Sequence, residues 1–224
     1  ARDTGGVLPA PDVLTIAMRT LDVLEAAHAA GVIHRDIKPE NLFVTTGGEM
    51  KVLDFGIARV KDSLGGHATR TGVMMGTPAF MPPEQALGRT KKIDERTDLW
   101  ALGAVMFNLL TGQNVHEGET DNEMIVSAAT RPARSLAKAM PGAPLDLVFI
   151  VDCSLAFDPE KRFGSAGRMK EEMRKLLDLG RAAGAPLGAV RRPPAETMPA
   201  RPAAAAEDAA QRLAQDLARE LMDV

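Results

Sequence analysis

The sequence predicts a mainly α-helical (α+β) fold with one small β-hairpin. Apolar residues recur at helical spacing from Leu14 to Ala27, and the run from Asp98 to Leu110 is apolar on every side, which is typical of a buried central helix. Two short β-rich pieces, Leu42 to Val44 and Lys51 to Leu53, flank the turn signal Thr46-Gly47-Gly48 and predict the hairpin. We therefore expect many helices around one long buried helix, with a single small hairpin beside them.

The helix boundaries follow from capping and breaking residues. The first helix is predicted to begin near Asp12, which follows two prolines and can cap the helix with its side chain, and to end at Gly31. The buried helix opens at Asp98, which can cap it by accepting backbone N–H bonds. The same reasoning predicts further helices over residues 122–129, 144–157 and 165–179.

Composition excludes several classes of function. The chain has 224 residues, of which 45% are hydrophobic, so it can bury on the order of 70% of its unfolded surface. A net charge of −3 and a pI near 5.9 give no basic footprint for nucleic acid, and no apolar run of about 18 residues would span a membrane. Cys153 is the only cysteine, which excludes intramolecular disulfides and Cys-cluster zinc sites and fits a reducing, cytoplasmic compartment. Its apolar helical neighbours predict core packing rather than a reactive thiol.

The composition changes near residue 181. Residues 1–180 form one predicted unit, whereas residues 181–204 are rich in Ala, Pro and Arg and predict a linker. Residues 205–224 carry apolar side chains at helical spacing, which predicts a short amphipathic helix, either solvated or docked on a partner. Because the chain begins at Ala1 without an initiator Met, we expect it to be part of a longer product.

An acid, a cation and two metal-liganding groups follow one another between His34 and Asp54. The transition state of phosphoryl transfer spreads negative charge over several oxygens, so its catalysis needs positioning, cations and one group that accepts the hydroxyl proton. Lys38 lies two residues after Asp36, so in an extended loop both side chains point to the same side. Asn41 and Asp54 offer the hard oxygen ligands that Mg²⁺ prefers. The spacing therefore predicts half of an ATP site.

These residues resemble the signature of the protein kinase family, a catalytic-loop H-R-D-x-K-x-x-N followed by D-F-G. The resemblance implies that Asp36 accepts the proton, that Lys38 reaches the transferring phosphate, and that Asn41 and Asp54 hold the metal. A lysine two residues after the acid is the Ser/Thr-specific form of this loop. The implied cofactors are ATP and Mg²⁺, with Mn²⁺ as an alternative. Three further residues have structural roles in the family, and these are His34, Phe55 and Gly56.

The nucleotide site extends to the hairpin. Phe43 matches the position that forms the floor under adenine in the family, although an aromatic there could equally be part of the core. Together with Lys38, Asn41 and Asp54 it makes up the implied nucleotide-binding set.

The run from Gly76 to Glu84 resembles the end of a kinase activation segment, which holds the acceptor residue of the substrate. The resemblance implies that Thr77 bridges the catalytic acid and lysine. The family's A-P-E reads Pro82-Pro83-Glu84 here, so one backbone N–H is lost and Met81 is pushed towards extended geometry.

Arg35 implies regulation by phosphorylation, since in the family this residue pairs with a phosphate on the activation segment. We expect that phosphate on Thr69 or Thr71.

Two distant landmarks complete the resemblance. In the family the residue that matches Asp98 reaches the backbone of the catalytic loop, which is an alternative to the capping role given above. Arg162, in the run from Asp158 to Phe163, matches the arginine that pairs with Glu84. The resemblance therefore covers residues 5–180 and implies the C-terminal lobe of a kinase catalytic domain, with the small hairpin at its catalytic cleft.

The family's Gly-rich loop, strand lysine and paired helix glutamate have no counterpart in this sequence, so an N-terminal kinase lobe is the first partner we expect. Phrases such as Ala30-Gly31-Val32-Ile33-His34 look like the bacterial branch of eukaryotic-like Ser/Thr kinases. The expected function is transfer of the γ-phosphoryl group of Mg-ATP to Ser or Thr hydroxyls of protein substrates, with the 224 residues inactive by themselves. The expected location is the cytoplasm, or the cytoplasmic face of the membrane if a span follows Val224.

Two other functions remain open. The chain could be a non-catalytic half-kinase that acts as an interaction module, or a small-molecule phosphotransferase of the kinase-like fold. Gly76-Thr77-Pro78 and Pro83-Glu84 argue for peptide substrates against the second.

Overall fold

The computed structural model describes residues 7–45, 47–54 and 77–182. Within them, helices dominate and one two-stranded antiparallel hairpin supplies the sheet, which confirms the predicted mainly α-helical fold. The helices are α1 (Ala10–Ala29), α2 (Pro83–Ala86), α3 (Glu95–Thr111), α4 (Asp121–Thr130), α5 (Leu136–Ala139), α6 (Leu145–Ser154) and α7 (Ala166–Ala182). The strands are β1 (Leu42–Val44) and β2 (Met50–Val52), and short 3₁₀ turns lie at Pro39–Asn41, Pro78–Phe80, Thr90–Lys92 and Pro159–Lys161.

Helix α3 is the centre of the core. Every residue from Thr97 to Leu110 is buried, as the apolar run predicts. The helix begins at Asp94, whose side chain accepts the N–H of Arg96 at 2.9 Å, and ends at Gly112 in the left-handed conformation. Of the two roles given to Asp98, the helix cap is therefore wrong, since Asp98 lies one turn inside the helix and its carboxylate is used elsewhere.

The close packing of α3 against α6 depends on a glycine. A β-carbon added to Gly103 would lie 2.7 Å from the β-carbon of Ser154, which is too close for any side chain at that position. A glycine at this position therefore lets the two helices pack closely.

Helix α1 packs against both α3 and α7. It begins at Ala10 after Pro9 and has no side-chain cap, so the predicted cap at Asp12 is also wrong, and Asp12 lies in the first turn. Proline in the first turn explains this start. The first N–H groups of a helix have no acceptor within the helix, so the absence of an N–H on proline costs nothing there. At the other end Gly31 has φ 74°, and the chain turns there into the loop that leads to the hairpin.

The hairpin lies against α1. Its register pairs Leu42 with Val52, Phe43 with Lys51 and Val44 with Met50, so β2 begins one residue earlier than predicted. Side chains alternate along both strands. The first and last residues of each strand face the core, whereas Phe43 and Lys51 face outward. Arg19 of α1 fixes the turn by donating from Nη1 to the carbonyl of Gly48 at 2.5 Å.

Helix α7 continues to Ala182, two residues into the predicted linker. The remainder of that linker, to residue 204, and the predicted amphipathic helix over residues 205–224 lie outside the described residues. In the part that is described, none of the helices has the length and apolar character needed to cross a membrane. Cys153 packs against the core, and burial raises the pKa of its thiol.

Candidate active site

The carboxylate of Asp36 lies between a cation and an amide. Lys38 Nζ is 3.0 Å from Asp36 Oδ2, and Asn41 Nδ2 lies 3.2 Å from the same oxygen. Asn41 Nδ2 also donates to the Asp36 main-chain carbonyl at 2.8 Å, which closes the loop over five residues. The 3₁₀ turn Pro39–Asn41 makes this possible, because it brings the chain back past Asp36 just before β1 begins. Three of the predicted site residues therefore meet at one carboxylate.

The side chain of Asp98 holds the backbone of this loop in place. Its carboxylate is fully buried and accepts the backbone N–H of His34 at 2.8 Å through Oδ2 and that of Arg35 at 2.7 Å through Oδ1. His28 Nε2 lies 2.8 Å from Oδ2 as well. Of the two roles that the sequence left open for Asp98, the structure has the contact with the catalytic-loop backbone. The loop is thereby tied to the start of the most buried helix in the described chain.

His34 joins the catalytic loop to the residues that precede Asp54. Its Nε2 lies 2.9 Å from the carbonyl of Leu53, and its Nδ1 lies 3.2 Å from the backbone N–H of Asp36. A carbonyl only accepts and an N–H only donates, so these two contacts assign the hydrogen of the neutral ring to Nε2. The N–H of Leu53 donates to the carbonyl of Asn41 at 2.8 Å. This bond brings the backbone just before Asp54 next to Asn41. Asp54 itself is exposed and has φ 55°.

The donor set fits a magnesium ion that is bound together with phosphate oxygens. Asn41 uses its amide nitrogen on Asp36, which leaves its amide oxygen as the group that can ligate. Asp54 adds a carboxylate. Among the described residues there is no group of three or more His, Cys, Asp or Glu side chains that could hold a metal by themselves. Mg²⁺ is commonly held by one or two protein oxygens, with water and substrate phosphates completing its octahedron, so this sparse set suits it.

The predicted substrate loop borders the same acid. Thr77, Phe80, Met81 and Gln85 line a small cleft, whose opposite wall runs from Arg35 to Lys38. Thr77 is thus in the same cleft as Asp36 and Lys38. The 3₁₀ turn Pro78–Phe80 is buried and holds this wall in place.

Pro82 is compatible with the cleft. It occupies the N-cap position of α2, where its carbonyl accepts the N–H groups of Gln85 and Ala86, both at 3.0 Å. A residue at that position is used as an acceptor, so the N–H that proline lacks is not needed there. Met81 is extended, with φ −85° and ψ 121°, as the following proline predicts.

Glu84 of α2 and Arg162, which follows the 3₁₀ turn Pro159–Lys161, are in contact in the protein interior. Two N–H···O bonds of 2.8 Å connect them, and the hydroxyl of Thr97 donates to the same carboxylate at 2.9 Å. Burial acts to raise the pKa of Glu84, but the hydrogen bonds and charge of Arg162 outweigh it and hold that pKa below its usual value.

Several predicted site residues are more peripheral. Phe43 is on β1 with 47% of its surface exposed, facing away from the core. Arg35 has its backbone in the left-handed region, with φ 68°. The remaining predicted residues lie outside the described part of the chain, and these are Phe55, Gly56, Thr69 and Thr71.

Two contacts of the site were not predicted from the sequence. His28 Nε2 lies 2.8 Å from Asp98 Oδ2, and Gln85 Nε2 donates to the carbonyl of Arg35 at 3.0 Å. A signal existed for His28, since a polar ring in the last turn of a helix that leads straight into the catalytic loop is well placed to contact that loop. Gln85 had no such signal, because a side-chain bond to a backbone carbonyl 50 residues away leaves no pattern in the sequence.

Comparison with known proteins agrees with this geometry. The family described as protein kinase domain matches residues 2–176. Serine/threonine-protein kinase Pkn1 of Myxococcus xanthus is 37% identical over 179 residues, which are 77% of this chain and 25% of the relative. Probable serine/threonine-protein kinase PknB of Corynebacterium glutamicum is 34% identical over 175 residues, 76% of this chain and 27% of the relative. The chain therefore spans about a quarter of the length of these curated relatives.

Proposed function

Because the chain belongs to the protein kinase domain family, in its bacterial eukaryotic-like serine/threonine branch, we propose that it forms the helical lobe of a protein serine/threonine kinase. The proposed reaction transfers the γ-phosphoryl group of Mg-ATP to Ser or Thr hydroxyls of protein substrates. The observation that carries the proposal is the carboxylate of Asp36, which is held between Lys38 and Asn41 at the edge of the cleft that Thr77 lines.

Asp36 is the proposed proton acceptor. Its Oδ2 is occupied by Lys38 and Asn41, so Oδ1 is the oxygen that we assign to the substrate hydroxyl. A fixed carboxylate at hydrogen-bond distance both orients the hydroxyl and takes its proton, which is the contribution of a general base. Lys38 has a second task in this scheme, because its ammonium group can also bind a phosphoryl oxygen as negative charge develops there.

Asn41 and Asp54 are the proposed metal ligands, and Phe43 offers its exposed ring to the adenine. When bound, Mg-ATP supplies the phosphoryl group and a divalent charge that offsets the negative oxygens. The chain's own part would be to hold these two ligands. The bond between the N–H of Leu53 and the carbonyl of Asn41 supports this, because it joins the two segments that carry them. The use of ATP makes a cytoplasmic location part of the proposal.

A protein substrate is favoured by the second wall of the cleft. Thr77, Phe80 and Met81 are contributed by a separate segment, which the buried pair of Glu84 and Arg162 anchors to the core. A segment held in this way can align an extended peptide past Asp36. Residues 1–224 contain no Gly-x-Gly-x-x-Gly loop, so we propose that the cover over the phosphates and the strand lysine are contributed by an N-terminal lobe outside these residues.

The function is tested by incubating the full-length protein with Mg-ATP and a generic basic protein. We expect phosphoserine or phosphothreonine in the substrate, and its loss in the Asp36→Asn variant. Equal phosphorylation by both proteins would remove Asp36 from its role. Transfer to small molecules alone, or none by the wild-type protein, would contradict the proposed function.

A further inference from the structure

We infer that Gln85 is a positioning residue for Asp36, through which the substrate-loop helix α2 sets the orientation of the catalytic loop. In its kinetic part the inference rests on the proposed function. It begins from the backbone of Arg35, which has φ 68° although it is not a glycine. A residue with a side chain is disfavoured in this region, so it stays there only when its neighbours hold it.

Three side chains hold the backbone on either side of Arg35. Asp98 accepts the Arg35 N–H at 2.7 Å, and His34 Nδ1 lies 3.2 Å from the N–H of Asp36. Gln85 Nε2 donates to the carbonyl of Arg35 at 3.0 Å. The last two bonds act on the same peptide unit, between Arg35 and Asp36, and fix it at both its N–H and its carbonyl. The direction of the Asp36 side chain depends on how that unit is rotated.

Among these three groups, Gln85 has a distinct origin. Asp98 is part of the buried helix α3, and His34 is part of the loop itself, so both are in place whenever the lobe is folded. Gln85 instead belongs to α2, next to the segment that lines the cleft with Thr77 and Met81. Its bond to Arg35 therefore connects the wall of the cleft that carries Thr77 and Met81 with the opposite wall, which carries Asp36.

Helix α2 is able to place this donor accurately. Gln85 follows Glu84, whose carboxylate is held by two bonds to Arg162, and the N–H of Gln85 donates to the carbonyl of Pro82 at 3.0 Å. Glu84 thus anchors the four-residue helix, and the next residue, Gln85, extends its side chain towards the loop that carries Asp36. If α2 shifts, the bond from Gln85 to the carbonyl of Arg35 is lost, and the peptide before Asp36 is held less firmly in the geometry that Lys38 and Asn41 require.

The kinetic test uses the full-length protein with two variants at this position. Gln85→Met keeps the length of the side chain but has no donor, whereas Gln85→Lys restores one. The matched control is Gln113→Met, which also removes a side-chain hydrogen bond, the one that Gln113 Oε1 accepts from Arg134 at 2.6 Å. Gln113 follows the far end of α3, about 25 Å of helix away from Asp94.

We expect Gln85→Met to lower kcat by about 10-fold or more, because small displacements of a reacting group are costly, and to leave the KM for ATP within about 2-fold. Gln85→Lys should recover most of the lost kcat, and Gln113→Met should have the kcat of the wild-type protein. An unchanged kcat in Gln85→Met would overturn the inference. So would a loss that follows the amount of unfolded protein in thermal denaturation, or one that lysine does not recover.

A second measurement separates this inference from the proposed function. Hydrogen exchange of the backbone amides of residues 34–42 should be faster in Gln85→Met than in the wild-type protein and unchanged in Gln113→Met. This outcome supports the link between Gln85 and the backbone before Asp36 even if the wild-type protein transfers no phosphate. In that case the proposed function alone fails. Identical exchange in wild-type and Gln85→Met protein would overturn the link, whatever the activity.

Discussion

Arg162 binds Glu84 through two hydrogen bonds of 2.8 Å, although the two residues are 78 positions apart in the chain. The remaining three N–H groups of the guanidinium donate to the main-chain carbonyls of Ala156 at 2.8 Å, Arg96 at 3.1 Å and Phe157 at 3.3 Å. All five donors of the arginine therefore have acceptors, and the side chains of the pair are 0% and 3% exposed. A buried ion pair of this kind stabilises the fold only while both of its members are present.

Arg162→Met should therefore lower the free energy of unfolding by about 3–5 kcal/mol, because it leaves the Glu84 carboxylate buried without its cation. The control is Arg168→Met, which breaks an exposed pair with Glu171 and should cost no more than about 1 kcal/mol. Urea denaturation measures both. A loss of stability in Arg162→Met as small as that of the control would show that the pair does not anchor α2.

Stability should depend on pH through His116. This ring is buried against Trp100, with centroids 6.1 Å apart, and burial, then the charges of Arg131 and Arg134, lower its pKa from 6.5 to about 4. Between these values the unfolded chain binds a proton that the folded chain does not, so the free energy of unfolding falls as pH drops from 6.5 towards 4. The slope is at most about 1.4 kcal/mol per pH unit.

The matched variant is His116→Phe, which keeps a ring beside Trp100 but does not titrate. Its melting temperature should fall less between pH 7 and pH 5 than that of the wild-type protein. The lowered pKa of Glu84 acts in a different window, since a carboxylate of this kind loses its stabilising effect only as pH falls below its ordinary value of 4.5. Parallel melting curves for the two proteins over pH 5–7 would exclude His116 as the source of the dependence.

Substitution of the two acids should have different effects in the full-length protein. Asp36→Asn removes the proposed base, so turnover should fall by about 10²-fold or more while the affinity for Mg-ATP stays close to that of the wild-type protein. Asp54→Asn removes a proposed metal ligand and should weaken nucleotide binding only when Mg²⁺ is present. Titration of nucleotide with and without Mg²⁺ distinguishes them. Unaltered metal-dependent affinity in Asp54→Asn would remove Asp54 from its proposed role.

Phosphorylation is predicted on Thr69 or Thr71, both outside the described residues. The chain contains no tyrosine, so autophosphorylation within it is restricted to Ser and Thr. A phosphate carries a charge of about −1.5 to −2, which suits pairing with the guanidinium of Arg35. Mass spectrometry of the active protein should find phosphate at one of these threonines, and its absence from both would contradict the prediction.

The residues of the site are easier to predict from the sequence than the contacts and helix ends that hold them in place. Asp36 and Lys38 are two residues apart, so their position on the same side of the loop follows from its spacing, whereas the contact of Asn41 with Asp36 also needs the 3₁₀ turn Pro39–Asn41. The N-cap of α3 is not decided by the sequence, because Asp94 and Asp98 are both acids near the same N-terminus, and only the folded loop determines which of them accepts other N–H groups. The one-residue difference in the bounds of β2 has another cause, since the ends of a three-residue strand depend on individual backbone hydrogen bonds that leave no pattern in the sequence.

We propose that these 224 residues carry the acid and the metal ligands of a kinase, while transfer requires a lobe that covers the phosphates. Removal of even one preorganised electrostatic group typically costs about 10² to 10³ in rate. The direct test is to purify the 224-residue chain and measure phosphate transfer from labelled ATP to a generic basic protein, with and without the N-terminal lobe of the full-length protein. We predict no measurable turnover for the chain by itself, and Asp36-dependent transfer to Ser or Thr once the lobe is added. Turnover of about 1 to 100 per second by the chain alone, within the ordinary range for kinases, would contradict the account.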